Sequence, residues 1–141
     1  MTDPLSVETD LDIRVTARDG LAHRRPIQQA ATLRWCAGDP WAVHLTVEGL
    51  RRPWVFGWEL LTAATGPAGR AGEGDVRIRR ATTRDFEILL ASPNGSATVR
   101  VDAIDLSAFV AVVQPRQSSA VWRASAAFAA GLRVLLDGNR P

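Results

Sequence analysis

The chain has 141 residues, 46% of them hydrophobic, with 17 basic side chains against 15 acidic ones and a formal net charge of +2. A chain of this length buries roughly 68–70% of its extended surface, enough for one self-sufficient core, so residues 1–141 are read as one domain. Every basic residue is arginine, which excludes Schiff-base chemistry on lysine, a lysine general base and the phosphate lysine of a Walker loop.

The small net charge neither demands nor forbids nucleic acid, whose non-specific binders rely on a larger basic excess. The acidic opening stretch to Asp12 lacks the basic and apolar regions of a signal peptide. No apolar run reaches the ~18–20 residues that span a bilayer, and a lone cysteine, Cys36, cannot form an internal disulfide. A cytoplasmic protein without direct membrane insertion is expected, with flexible ends at 1–7 and 138–141.

From Glu8 to Ala17, Leu11, Ile13, Val15 and Ala17 alternate with Asp10, Asp12, Arg14 and Thr16, the period of a strand with one buried face. Asp19-Gly20 ends it, and Ala22 to Pro26 reads as an exposed loop. A second strand is predicted over 28–35, and Gly38-Asp39-Pro40 turns the chain into a third that starts at Trp41. In that third strand Trp41, Val43, Leu45 and Val47 share the inward face.

A short strand at 54–56 then passes into a helical turn through about Ala64. Residues 65–74, with Gly66, Gly69, Gly72, Gly74 and Pro67, read as a mobile surface loop. Strands follow at 75–80, 85–91 and 96–102, pointing Val76 and Ile78, then Phe86, Ile88 and Leu90, then Ala97, Val99 and Val101 inward. Asn94-Gly95 signals a hairpin between the last two.

The period then becomes helical. Ile104, Ala108, Phe109, Val112 and Val113 share one face of a helix expected to end near Pro115. A last helix is predicted over 119–137 with Val121, Ser125, Phe128, Leu132, Leu135 and Leu136 at helical spacing, Ser118 or Ser119 as its cap and Gly138 as its stop. About seven strands and three helices make the fold α+β with mostly antiparallel pairing.

Catalytic chemistry finds little support. His23 and His44 fall in a loop and on a solvent face without metal-ligand spacing, and Cys36 has no histidine beside it to act as a nucleophile. The glycine-rich loop lacks a Lys-Ser/Thr ending and leads into a strand, so it has no helix N-terminus to hold phosphate. No enzyme, cofactor or metal is expected.

Arg77 and Arg79 share the outward face of one strand, with Arg80 and Arg84 after them and Arg51-Arg52 at another strand entrance. Guanidinium groups so clustered can grip phosphates or an acidic peptide bidentately, or simply cover a solvated sheet face. Trp35, Trp41, Trp54 and Trp58 fall within one stretch of the chain. Tryptophans can stack bases, but beside alternating apolar residues Trp35, Trp41 and Trp54 are expected in the core or a subunit interface.

Five segments stand in a telling order: Leu33-Arg34-Trp35, then Asp39-Pro40-Trp41-Ala42-Val43, then Trp54-Val55-Phe56-Gly57-Trp58-Glu59-Leu60-Leu61, then Gly74-Asp75-Val76-Arg77-Ile78, and last Ser92-Pro93-Asn94-Gly95-Ser96-Ala97. Together they resemble the SsgA-like family of sporulation and cell-division proteins of actinomycetes. Gly57-Trp58-Glu59 and Arg79-Arg80 depart from the family pattern, as does Pro115-Arg116-Gln117-Ser118-Ser119. Trp58 is expected to be exposed for a partner.

The resemblance implies a Whirly-like fold, similar to single-stranded nucleic-acid-binding domains, with two packed antiparallel sheets and assembly as a homotrimer. It implies a non-catalytic adaptor of sporulation-specific division that recruits or positions the septation machinery. Its partners would be the tubulin-like GTPase FtsZ, other SsgA-like proteins or cell-wall remodelling enzymes, met at division septa. Single-stranded DNA or RNA binding through the arginine clusters and tryptophans is the alternative.

Overall fold

The computed structural model describes residues 5–19, 22–23, 25–50 and 52–138. Nine strands and two helices follow in the order β1 (Ser6–Asp19), β2 (Ala22–His23), β3 (Ile27–Cys36), β4 (Asp39–Val47), β5 (Trp54–Gly57), α1 (Trp58–Thr65), β6 (Arg70–Ala71), β7 (Val76–Arg80), β8 (Asp85–Ser92), β9 (Gly95–Asp102) and α2 (Ala103–Gly138). The α+β class with antiparallel pairing is as expected. In place of two separate sheets there is one continuous curled sheet, ordered β5-β4-β3-β1-β9-β8-β7-β6, with β2 paired to β1.

Strand β1 joins the two halves. It pairs with β3 from Ser6↔Cys36 to Val15↔Ile27, and with β9 from Arg14↔Arg100 to Arg18↔Ser96. The alternation read in the sequence sets which face turns inward: Leu11 and Ile13, Leu33 and Trp35, Val43 and Leu45, Phe86 and Ile88, and Val99 and Val101 all belong to one buried cluster. Burying these side chains on one continuous core is the main force holding the curl.

Two strands escaped the sequence reading. Ala22–His23 pairs with β1 where a loop was expected, and Arg70–Ala71 pairs with β7 inside the glycine-rich segment. That segment is tied down: the Arg80 N–H donates to Gly69 O at 2.7 Å, and a Cβ on Gly72 would lie 2.5 Å from Val76 O. Its glycines allow a close approach of backbones that the sequence reading took for mobility. Likewise β1 already begins at Ser6, within the end expected to be flexible.

The helices also differ in number. A single α2 runs through Pro115, where the expectation was one helix ending there and another beginning at Ser119. Proline inside a helix removes one backbone hydrogen bond and bends the chain without always stopping it. Asp102 caps the start, its Oδ1 accepting the Ile104 N–H at 2.9 Å, so Ser118 and Ser119 lie in the helix interior. This cap fixes the phase: Leu106, Phe109, Val113, Gln117 and Ala120 turn inward, while Ile104, Ala108 and Val112 turn out.

Trp58, expected at the surface, is buried instead, and Trp41 lies outside the core of the single chain. Trp58 is 4% exposed, the first residue of α1, and packs inward with Leu61 and Ala64. Trp41 is 51% exposed, because the β3–β4 ladder jumps from Trp35↔Val43 to Cys36↔Asp39 and leaves Trp41 in the bulged stretch between. Trp35 is buried as expected, its indole Nε1 donating to Pro40 O at 3.0 Å, and Trp54 packs half-buried against the core. Trp58→Ala is therefore expected to cost about 3–5 kcal/mol, and Trp41→Ala less than about 1 kcal/mol. Urea unfolding of both variants decides; equal losses would contradict this placement.

Candidate interaction surface

The outward side chains of the sheet follow from the same alternation. Where Ile78, Ile88, Val99 and Ile13 point in, their neighbours point out, and the registers Arg70↔Arg79, Arg79↔Glu87, Glu87↔Arg100 and Arg14↔Arg100 set these residues in one row. Gln28 continues it opposite Arg14. At ~4.8 Å per strand the row spans about 24 Å.

Four guanidinium groups and one carboxylate make up its charge. Glu87 bridges two of them: Arg79 donates to Oε2 at 2.7 and 3.0 Å, and Arg100 to Oε1 at 2.8 Å. These arginines hold the Glu87 carboxyl below its ordinary range, the Arg79 hydrogen bond first, against a smaller opposing effect of burial. Arg14 stands directly opposite Arg100, a like-charge pair that costs stability in a sheet. Arg77 lies one step along β7 on the same face, beside Leu89.

Of the residues singled out in the sequence, only Arg77 and Arg79 lie on this row or beside it. Arg80 points the other way, its guanidinium 4.5 Å from the centroid of the Phe86 ring, with Nη1 donating to Thr83 O. Arg52 is exposed before β5, at the opposite end of the strand order. Arg51 lies outside the described residues, and Trp58 is in the core. The sequence reading missed Arg14, Arg70, Glu87 and Arg100, because only the register brings them into line.

The same outer face carries the opposite sign on its other half. Asp10 and Asp12 of β1, with Thr32, Thr46 and Glu48, border a shallow groove, and Thr32 Oγ1 donates to Asp10 Oδ1 at 3.4 Å. Glu8 pairs with Arg34 at 3.5 Å. Along β1 the outward charge therefore changes from acidic at Glu8, Asp10 and Asp12 to basic at Arg14. Beside the basic row the outward positions are Leu89, Thr98 and Thr16, which offer bases no aromatic face to stack on.

Among the described residues no group of three His, Cys, Asp or Glu side chains converges in a way that could hold a metal ion. Cys36 is free and partly buried. No helix among the described residues is long and apolar enough to cross a membrane.

Comparison with known proteins gives the surface its context. Residues 30–116 match the family model described as the Streptomyces sporulation and cell division protein SsgA. The chain belongs to the SsgA-like family. This SsgA-like protein is 32% identical over 113 residues to the sporulation-specific cell division protein SsgB of Kineococcus radiotolerans, across 75% of its own length and 64% of that protein's. A sporulation-specific cell division protein of Frankia casuarinae is 32% identical over 110 residues, 74% of this chain and 72% of that one.

Solved structures agree with the fold. The crystal structure of an SsgA-like sporulation-specific cell division protein from Thermobifida fusca superposes with a TM-score of 0.68 at 26% identity, covering 93% of this chain and 99% of the other. An SsgB structure, described with mutations that correlate to longitudinal cell division during sporulation of Streptomyces coelicolor, gives 0.61 at 28% identity over 81% and 87%.

The depressed acidity of Glu87 has a consequence for stability. A carboxyl whose folded value lies below its unfolded one stabilises the fold above the unfolded value, about 4.3 for glutamate, and loses that contribution as pH falls through the lower folded value. Glu87→Gln is expected to cost about 1 kcal/mol at pH 7, a modest figure because both arginines are partly solvent-screened. The gap between the two urea midpoints should close on acidification towards pH 3. A gap that stays constant would show that the Arg79 and Arg100 bonds contribute nothing.

Proposed function

We propose that this SsgA-like protein is a non-catalytic adaptor of sporulation-specific cell division that recruits or positions the septation machinery by protein–protein binding. The observation that carries the reading is the unbalanced basic row: Arg14 faces Arg100 without an ion-pair partner of its own among the described residues. A strand arrangement that places like charges side by side is favourable once an anionic partner bridges them, and bidentate guanidinium contacts suit carboxylates of an acidic protein segment.

The partner in this reading is FtsZ, another SsgA-like protein or a cell-wall remodelling enzyme, and the place of action is the cytoplasmic side of the division septum. The trimer and the Whirly-like relationship belong to the same proposal. Their support is the family membership, which brings the division role without specifying a contact. Only 64% of the Kineococcus relative is spanned, so its whole activity is not assumed.

Fluorescence-anisotropy titration against labelled FtsZ at ~150 mM salt, where exposed charges more than about 8 Å apart are screened, tests the adaptor. Arg14→Glu combined with Arg77→Glu is expected to weaken binding at least about tenfold, equivalent to ~1.4 kcal/mol, while Arg52→Glu at the other sheet edge leaves it unchanged. Unaltered binding in the double variant would remove the basic face from the mechanism. Tight binding of a single-stranded oligonucleotide in place of FtsZ would replace the adaptor reading with the nucleic-acid one.

A further inference from the structure

Where α2 passes the end of β3, the surface folds inward around a cavity of about 420 Å³, within the range of ligand-binding clefts. Its apolar lining is Leu5, Trp35, Ala37 and Pro115, with Trp35, 1% exposed, the most deeply buried of them. The Trp35 indole N–H already donates to Pro40 O, so its ring offers a ligand apolar surface only.

The polar lining is Arg116, Ser119 and Arg123, all exposed on α2. Arg116 is oriented by its Nη1 bond to Val112 O at 2.7 Å, which leaves its other N–H groups to a ligand. Arg123 has no hydrogen-bond or ion-pair partner among the described residues. Among the described residues no carboxylate lines the cavity, so every charged group facing it is a cation. An occupant with an apolar body and anionic ends fits both parts of this lining.

Shape selects among such occupants. Ser119 and Arg123 also line a second cavity of about 500 Å³ with Ser118 and Trp122, so the two join into one groove along α2. A compact molecule would fill one part and leave the other open, whereas an extended chain occupies both. Pro115-Arg116-Gln117-Ser118-Ser119, the segment that departs from the family pattern, supplies much of this wall. Because α2 continues through Pro115, Arg116 and Arg123 stand two turns apart, about 10.5 Å along the axis, on one side of a single helix.

We infer that this groove binds a short, extended, acidic segment of another protein, with one bulky apolar side chain in the Trp35 cavity and carboxylates on Arg116 and Arg123. Side chains alternate along an extended chain, so an apolar residue with acidic residues two positions before and after it presents all three on one face. Those carboxylates lie about 13 Å apart, a span that the two long arginine side chains reach. This is a second site, separate from the basic sheet face and from whichever division partner binds there.

Fluorescence-anisotropy titration of the full chain tests it at ~150 mM salt, where exposed charges more than about 8 Å apart are screened. The probes are fluorescein-labelled peptides Gly-Glu-Ser-X-Ser-Glu-Gly, with X as Leu, Ile, Phe or Trp. At least one is expected to bind, and to weaken at least about tenfold when both glutamates become glutamine or X becomes glycine. The same loss is expected in an Arg116→Gln and Arg123→Gln double variant, and in Ala37→Phe, which fills the cavity and keeps both arginines. Arg14→Glu combined with Arg77→Glu on the sheet should stay within about twofold of the natural chain. Urea midpoints show that the variants fold; where the double variant's midpoint falls, Arg123→Gln alone decides, since it breaks no bond among the described residues. The inference is overturned if no peptide binds, if the groove variants bind as well as the natural chain, or if only the sheet variant loses affinity. Binding of 4-phenylbutyrate as tight as that of the best peptide would make the cavity a site for a small carboxylate and overturn it too.

Discussion

Everything in the architecture depends on how β1 is shared. Its ladder to β3 covers Ser6 to Val15 and its ladder to β9 covers Arg14 to Arg18, so only Arg14 and Val15 are paired to both β3 and β9. A strand with so short an overlap acts as a corner: its twist carries the β3–β4–β5 half and the β9–β8–β7 half onto one another. The inner faces of both halves then share a core that α1 and the first part of α2 close. Where the resemblance implied two packed sheets, the structure has one sheet whose halves meet along β1.

That corner also governs the outer surface. Because β1 is long, its outward positions report on both halves in turn, and the sign of charge changes between Asp12 and Arg14, where the pairing passes from β3 to β9. The acidic half is relieved locally by Arg34, whereas among the described residues the basic half has only Glu87 to hold three strands together. Glu87 thus reduces the repulsion in the row without cancelling it. The residual field sits on a rigid sheet whose side chains hold fixed spacings, which favours oriented binding of an anionic partner over diffuse attraction.

How far the sequence reveals this depends on the range of the interaction concerned. Period-two alternation made the inward faces of β1, β8 and β9 legible, since each strand reports its own buried side. Register is different: the line from Arg70 to Gln28 crosses six strands, and no local pattern states which residues will stand opposite one another. Trp41 shows the same limit, because a bulge three residues long cancels an alternation that continues unbroken in the sequence. Trp58 was assigned to the surface from its departure from the family pattern, yet its place at the first turn of α1, three residues before Leu61, is that of a core residue.

Pro115 is the remaining instance, and its resolution is energetic. A proline in a helix interior costs about 3 kcal/mol relative to alanine, which is why a break was expected there. The cost is borne because side chains on both sides of it are anchored in the same core: Phe109 and Val113 before, Ala120 after. The Arg116 guanidinium donates to Val112 O at 2.7 Å, an added bond in the turn that the ring disturbs. Tertiary contact therefore imposes a continuity that local propensity opposes. The fold holds α2 in one phase across its weakest point, with Phe109 and Val113 before the proline and Ala120 after it turned inward.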